Sequence, residues 1–308
     1  MVALLQPGQN STCKMEGFMS DLKLDFIGIG ANKAGTSWLN KMLQAHPQIC
    51  TAEPKEVHFF HDMASFTQTY HQGNFAKGIE WYKRFFRHCH PTQVKGEITP
   101  KYLIDPVVPG RIKNMFPDVK LILCMRSPIE RATSQYYFEK HFIRREKRPI
   151  SEAIRHQPEY IEHGKYYAGI QRYIEYFPLS RIHLIWFEDI EHQPGQVMHD
   201  LYTFLKVDPS FVPPDLRKKS NPSRIARWKW MRDVVAVTER KLTEWGMSGL
   251  LKWLKTVGVS KAIAMINSKP IRYDKISETD RLWLLQQFRE DILHLQELTG
   301  RDLSTWLK

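Results

Sequence analysis

The chain has 308 residues, 42% of them hydrophobic and 25% charged, with nine tryptophans, a composition that excludes a disordered or fibrous chain and suits one large folded α/β domain. Its 45 basic against 33 acidic side chains give a formal charge of +12, which favours anionic partners such as nucleotides, sulfated or phosphorylated substrates, nucleic acid or a membrane surface, without choosing among them. Cys13, Cys50, Cys89 and Cys124 show no CxxC spacing, so neither a zinc finger nor a disulfide scaffold is expected and the four are read as reduced thiols.

Residues 1–22 read as a loose leader without the basic start and long apolar run of a signal peptide. No stretch approaches the roughly 18 apolar residues of a membrane span, so no stable membrane insertion is expected and the cytoplasm is the default location. Residues 23–308 read as one domain. Its first strong element is the apolar run Leu24 to Gly30, a buried strand. Thr36 to Gln44 then places Trp38, Leu39, Met42 and Leu43 at helical spacing before His46-Pro47. Lys120 to Met125 is a second strand, followed by a helix that starts at Pro128 and runs through Phe142. An aromatic helix, Tyr166 to Phe177, leads into a third strand, Ile182 to Phe187, and a helix from about Gly195 to Leu205. Strands alternating with helices predict a P-loop-like parallel β-sheet flanked by helices on both faces. A proline-rich and basic stretch, Pro213 to Lys229, reads as a functional loop, and residues 228–268 as a candidate helical annex. Leu282, Leu284, Leu285, Phe288, Ile292 and Leu295 form the stripe of a final C-terminal helix, Glu278 to Thr299, stopped by Gly300.

The segment between the first strand and helix, Gly30-Ala31-Asn32-Lys33-Ala34-Gly35-Thr36-Ser37, carries the chemistry. Backbone amides and a helix N-terminus converge there on whatever anion the loop holds. An ATPase loop sets its lysine directly after the second glycine; here Lys33 precedes Gly35 by two residues and Thr36 stands in the lysine's place. The pattern resembles the 5′-phosphosulfate loop of the sulfotransferases that use 3′-phosphoadenosine-5′-phosphosulfate. Arg126 and Ser134, at and beyond the end of the second strand, are similar to that family's 3′-phosphate motif. The similarity covers about residues 24 to 300 and extends to the branch acting on heparan-type glycans and to bacterial relatives. It is carried by Lys55-Glu56-Val57-His58-Phe59-Phe60, by Lys77 to Tyr82 and by Gly96-Glu97-Ile98-Thr99-Pro100-Lys101-Tyr102. In the last of these the glycan enzymes usually carry a lysine where this chain has Ile98.

The resemblance implies in-line transfer of a sulfuryl group to a hydroxyl or amine of a glycan or small metabolite, without a metal. Lys33, Ala34, Gly35, Thr36, Ser37 and Trp38 would hold the 5′-phosphate, with Lys33 at the bridging oxygen. Arg126, Ser134 and Tyr167 would hold the 3′ side, with Lys218, Lys219 or Arg224 as a lid. Glu56 is the first candidate for the base and His58 the second; Lys55, Glu97, Lys101 and Tyr102 are expected at the acceptor. A P-loop kinase or NTPase would need the lysine elsewhere and a magnesium site. A polyanion-binding module without catalysis, including a nucleic-acid binder, leaves the ordered motifs unexplained.

Overall fold

In the computed structural model the described residues are 22–61, 73–218, 224–226, 268–270 and 276–308. The predicted leader, apart from Leu22, and the annex at 228–268, apart from Ser268, lie outside them.

Five short strands form one parallel sheet: β1 (Phe26–Gly30), β2 (Ile49–Thr51), β3 (Val94–Ile98), β4 (Lys120–Met125) and β5 (Ile182–Trp186). Their order is β2-β3-β1-β4-β5, with Phe26 opposite both Gly96 and Lys120. Every residue of β1 and all but the first of β4 is buried, as expected of parallel strands covered on both faces. The helices that cover them include α1 (Thr36–Ala45), α2 (Gly78–Lys83), α3 (Val108–Met115), α4 (Pro128–Phe138), α5 (Ile150–His156), α6 (Glu159–Glu162), α7 (Tyr166–Ile174), α8 (Phe187–His192), α9 (Pro194–Leu205) and α10 (Glu278–Thr299). A single π turn, Glu139–Ile143, prolongs α4. Arg224–Ala226 and Ser268–Pro270 pair as a separate antiparallel ribbon, β6 and β7.

The chain runs from β1 outward to β2, returns to β3, and then crosses to the other side of β1 for β4 and β5. The direction reverses at β1, and in open parallel sheets such a switch point opens a crevice at the carboxyl ends of the strands. The phosphate loop follows β1, the Lys55–His58 segment follows β2, Thr99 to Tyr102 follow β3 and Arg126 follows β4. Topology alone therefore gathers the sequence motifs at one edge.

The cysteine expectation is corrected. Cys50 of β2 is bonded to Cys89, 39 residues on, because pairing of β2 with β3 brings the edge strand beside the turn that precedes β3. Spacing along the chain carries no trace of that adjacency. Cys124 is a free buried thiol, pushed up to about 12 by burial.

Candidate active site

Backbone geometry singles out the site first. Lys33, Glu56 and His58 have φ of 65°, 66° and 55°, in the left-handed region that costs side-chain-bearing residues energy. The other non-glycine residues with positive φ among those described, Arg144 and Lys206, are helix C-caps, where such a conformation is routine. Strain outside a cap collects at working sites, and here it marks the candidate lysine and both candidate bases.

In the phosphate loop the amide of Ala34 is engaged by the Ala31 carbonyl at 3.3 Å and that of Ala31 by the Cys124 carbonyl at 2.7 Å. The amides of Lys33, Gly35, Thr36, Ser37 and Trp38 make no hydrogen bond among the described residues. That is an anion cradle in donor chemistry, with α1 aimed at it, and it fits a phosphate. Gly35 sits at φ 96° with Phe187 and Ile190 about where a Cβ would go, at 3.2 and 3.1 Å, so no other residue closes the turn as easily. Trp38 is buried and donates its indole N–H to the Leu216 carbonyl at 3.0 Å, which ties the start of α1 to that segment. Ser37 is exposed and Thr36 buried.

Lys33 Nζ lies 4.0 Å above the Phe138 ring. Burial first, and then the Arg126 guanidinium, lower its pKa to about 8. Glu56 has Lys55 Nζ at 2.5 Å and His58 Nε2 at 3.7 Å. Its carboxylate, 40% exposed, is held at about 2: burial opposes the shift, and the hydrogen bond with His58 together with the Lys55 charge outweighs it. The lysine is a cation and the glutamate an anion at neutral pH.

Glu97 and Tyr102, expected at the acceptor, are fully buried. Glu97 accepts from Tyr82, Thr99 and Tyr102 at 2.6, 2.9 and 3.0 Å, and burial raises it to about 6. Tyr102 Oη accepts the amides of Phe59 and Phe60 at 2.8 and 3.3 Å. Together they floor the loop that presents Glu56 and His58. Ile98 is buried against Gly28, so no cation occupies its place. Lys101 is half-buried, its pKa lowered by burial and Arg145 and supported by the Glu56 charge.

On the second motif, Arg126 pairs with Glu130 at 2.9 Å and lies 4.5 Å over the Phe187 ring. Ser134 follows on α4 one turn beyond Glu130. Tyr166, not Tyr167, touches this motif: its hydroxyl donates to the Arg126 carbonyl at 2.8 Å. Tyr167 offers its backbone amide to Asp291 of α10 at 3.0 Å. Lys218 is paired with Asp215 at 2.8 Å, and Asp215 also meets Lys41 of α1. Lys219 lies outside the described residues, and Arg224 opens β6. Sequence reasoning missed the buried Arg131, which also depresses Lys33, and Phe138; neither residue type signals a site on a helix.

A sulfotransferase domain family model matches residues 23–225. The chain belongs to the sulfotransferase family. Among curated relatives it is similar to heparan sulfate glucosamine 3-O-sulfotransferase 5 of Mus musculus, 29% identical over 194 residues, 59% of this chain and 53% of that protein. It also resembles the membrane-associated sulfotransferase kil1 of Dictyostelium discoideum, 36% identical over 145 residues, 46% of this chain and 28% of that one. The human bifunctional heparan sulfate N-deacetylase/N-sulfotransferase 3 matches at 24% over 301 residues, 92% of this chain and 31% of that protein. The chain thus spans about half or less of these relatives. A sulfotransferase from Alicyclobacillus acidocaldarius has the same fold, with a TM-score of 0.69 at 24% identity over 94% of this chain and all of that one. No described helix is long and apolar enough to cross a membrane.

Proposed function

We propose that this sulfotransferase takes its sulfuryl group from 3′-phosphoadenosine-5′-phosphosulfate and passes it to a hydroxyl of an anionic glycan. The observation that carries this reading is the placement of a strained, desolvated lysine and a strained, ionised glutamate beside five open amides at one sheet edge.

The donor supplies a sulfuryl group already activated by its link to phosphate. The amides of Gly35, Thr36 and Ser37 hold the 5′-phosphate, and Lys33 meets the negative charge that grows on the bridging oxygen as that link lengthens. A cation partly stripped of water is worth more there than a solvated one. Arg126 and Ser134 hold the 3′-phosphate. The exposed Arg126–Glu130 pair is cheap to exchange for a doubly charged phosphate. One of the basic residues Lys218, Lys219 or Arg224 is the candidate lid on that side.

Glu56 accepts the proton of the incoming hydroxyl. In a loose transition state that proton becomes acidic only as the new bond forms, so a carboxylate of low basicity suffices when it is held in place. His58, beside Glu56, supports the carboxylate and is the second candidate for the base. Lys55 and Lys101 face the acceptor, and Lys101 supplies a cation that Ile98 does not. A carboxylated or sulfated sugar chain answers this excess of positive charge better than a phenol or an aliphatic amine; the heparan sulfate enzymes named above point the same way. The Cys50–Cys89 disulfide favours an oxidising compartment over the cytoplasm expected from the sequence.

Radiolabelled donor incubated with N-sulfated heparan-type oligosaccharides, simple phenols and amines tests the acceptor class. Label is expected on the oligosaccharides. Label on phenols or amines alone would replace the glycan, and label on nothing, with the donor bound, would overturn the reading.

A further inference from the structure

Outside the candidate active site, Cys50, His88 and Cys89 bring two sulfurs and an imidazole nitrogen together, all within 4.8 Å of one another. His88 Nε2 stands 3.3 Å from Cys50 Sγ and 3.9 Å from Cys89 Sγ. Zinc bonds of about 2.3 Å to sulfur and about 2.0 Å to nitrogen, at tetrahedral angles, separate the two ligand types by roughly 3.6 Å. The imidazole stands within about 0.3 Å of that distance from each sulfur, and once their bond is cleaved the two sulfurs must part to roughly 3.8 Å, by side-chain rotation, to share an ion.

We propose that these three residues are a thiolate–imidazole site that takes a zinc-class ion when the Cys50–Cys89 disulfide is reduced. The donor set is two soft sulfurs and one imidazole without a carboxylate, which selects zinc or cobalt over magnesium or calcium. His88 is exposed and Cys89 half-exposed, so the fourth position opens to water. Reduction does not scatter the ligands, because other bonds hold the same two segments. Glu53 N–H donates to the Phe85 carbonyl at 3.2 Å, Gln93 Nε2 to the Pro47 carbonyl at 2.9 Å, and β2 stays paired with β3.

Reduction adds two electrons and two protons to the sulfur–sulfur bond. An added small dithiol can supply both and leave as its own disulfide. Metal binding then releases the two thiol protons to water while His88 contributes the lone pair of Nε2. Disulfide and metal are two exclusive ways of tying β2, and hence the Glu56 loop that follows it, to the segment before β3. This site stands apart from the function proposed above and does not depend on it.

The test uses the full chain, reduced with a trialkylphosphine that competes poorly for zinc, then desalted without oxygen. Titration with zinc, read by elemental analysis after dialysis, is expected to give one bound ion per chain in the reduced protein and none in the oxidised protein. Cobalt should give a thiolate charge-transfer band. His88→Ala, an exposed substitution that leaves the disulfide intact, should weaken zinc binding at least tenfold, and Cys50→Ala with Cys89→Ala should abolish it. Absence of stoichiometric zinc in the reduced wild type, unfolding on reduction, or equal binding by the variants would each overturn the site.

Discussion

Lys33 must be both charged and desolvated, and the two demands oppose one another. Its folded pKa, about 8, lies below the usual lysine value, so the fold is penalised wherever the amine is protonated, and the penalty fades as pH rises from about 8 towards about 10.4. Lys33→Met is therefore expected to raise the Tm of the ligand-free protein at pH 7 while lowering kcat by about 10²–10³-fold, the scale of losing one oxyanion partner. Calorimetry and single-turnover transfer read the two effects. A fall in both would make Lys33 a structural residue. The same value sets a pH limb: transfer needs the protonated amine, so kcat/KM should fall as pH rises through about 8, and the limb in kcat should lie higher because a bound dianion favours the cation. Glu56, ionised from about 2 upward, adds no acid limb near neutrality. The loop's residue types were legible in the sequence. Its strain was not, because lysine, glutamate and histidine do not announce the left-handed backbone that the sheet edge imposes on them.

Strands β1, β4 and β5 and helices α1, α4, α7, α9 and α10 were legible as elements because they are largely apolar runs or helical stripes bounded by proline or glycine; α8 was not, and Phe187, read as the end of β5, opens it. Strands β2 and β3 were not. The first is three residues long, and the second, Val94 to Ile98, carries a half-buried Lys95 and a buried Glu97, whose burial is offset by hydroxyls brought in from Tyr82, Thr99 and Tyr102 and by a backbone hydrogen bond with Val57. A charged residue at the centre of a sheet reads as a surface position until that network is seen; it was the resemblance of the Gly96 to Tyr102 motif that placed Glu97 at the acceptor. The network makes β3 the floor of the base loop. Tyr102→Phe removes the acceptor for two buried amides, at a cost of about 1–3 kcal/mol. We expect kcat to drop with donor affinity unchanged within about twofold, because the phosphate loop is built on a different strand. Equal loss of donor binding would mean that the two loops are not separately supported.

At the scale of the molecule, long-range ties close the carboxyl edge. Arg301 grips Asp189 through two bonds of 2.7 Å, Trp306 donates to Glu188 at 2.9 Å, and Asp291 caps the start of α7. The Cys50–Cys89 bond ties the opposite edge of the sheet. Replacing both cysteines by alanine is expected to cost about 2–4 kcal/mol of stability, the range for a loop of this length, in denaturant titrations under oxidising conditions. None of these ties was visible in sequence, since each joins residues that only the topology brings together. The central claim is that the open amides after β1 and Arg126 after β4 together hold a nucleotide phosphorylated at both the 5′ and 3′ positions. Calorimetric titration with 3′-phosphoadenosine-5′-phosphate, against adenosine 5′-phosphate and against Arg126→Ala, tests it most directly. The account predicts binding that requires the 3′-phosphate and weakens at least about tenfold, or about 1.4 kcal/mol, in the variant. Equal affinity for the two nucleotides, or an Arg126→Ala protein that binds as the wild type does, would contradict it.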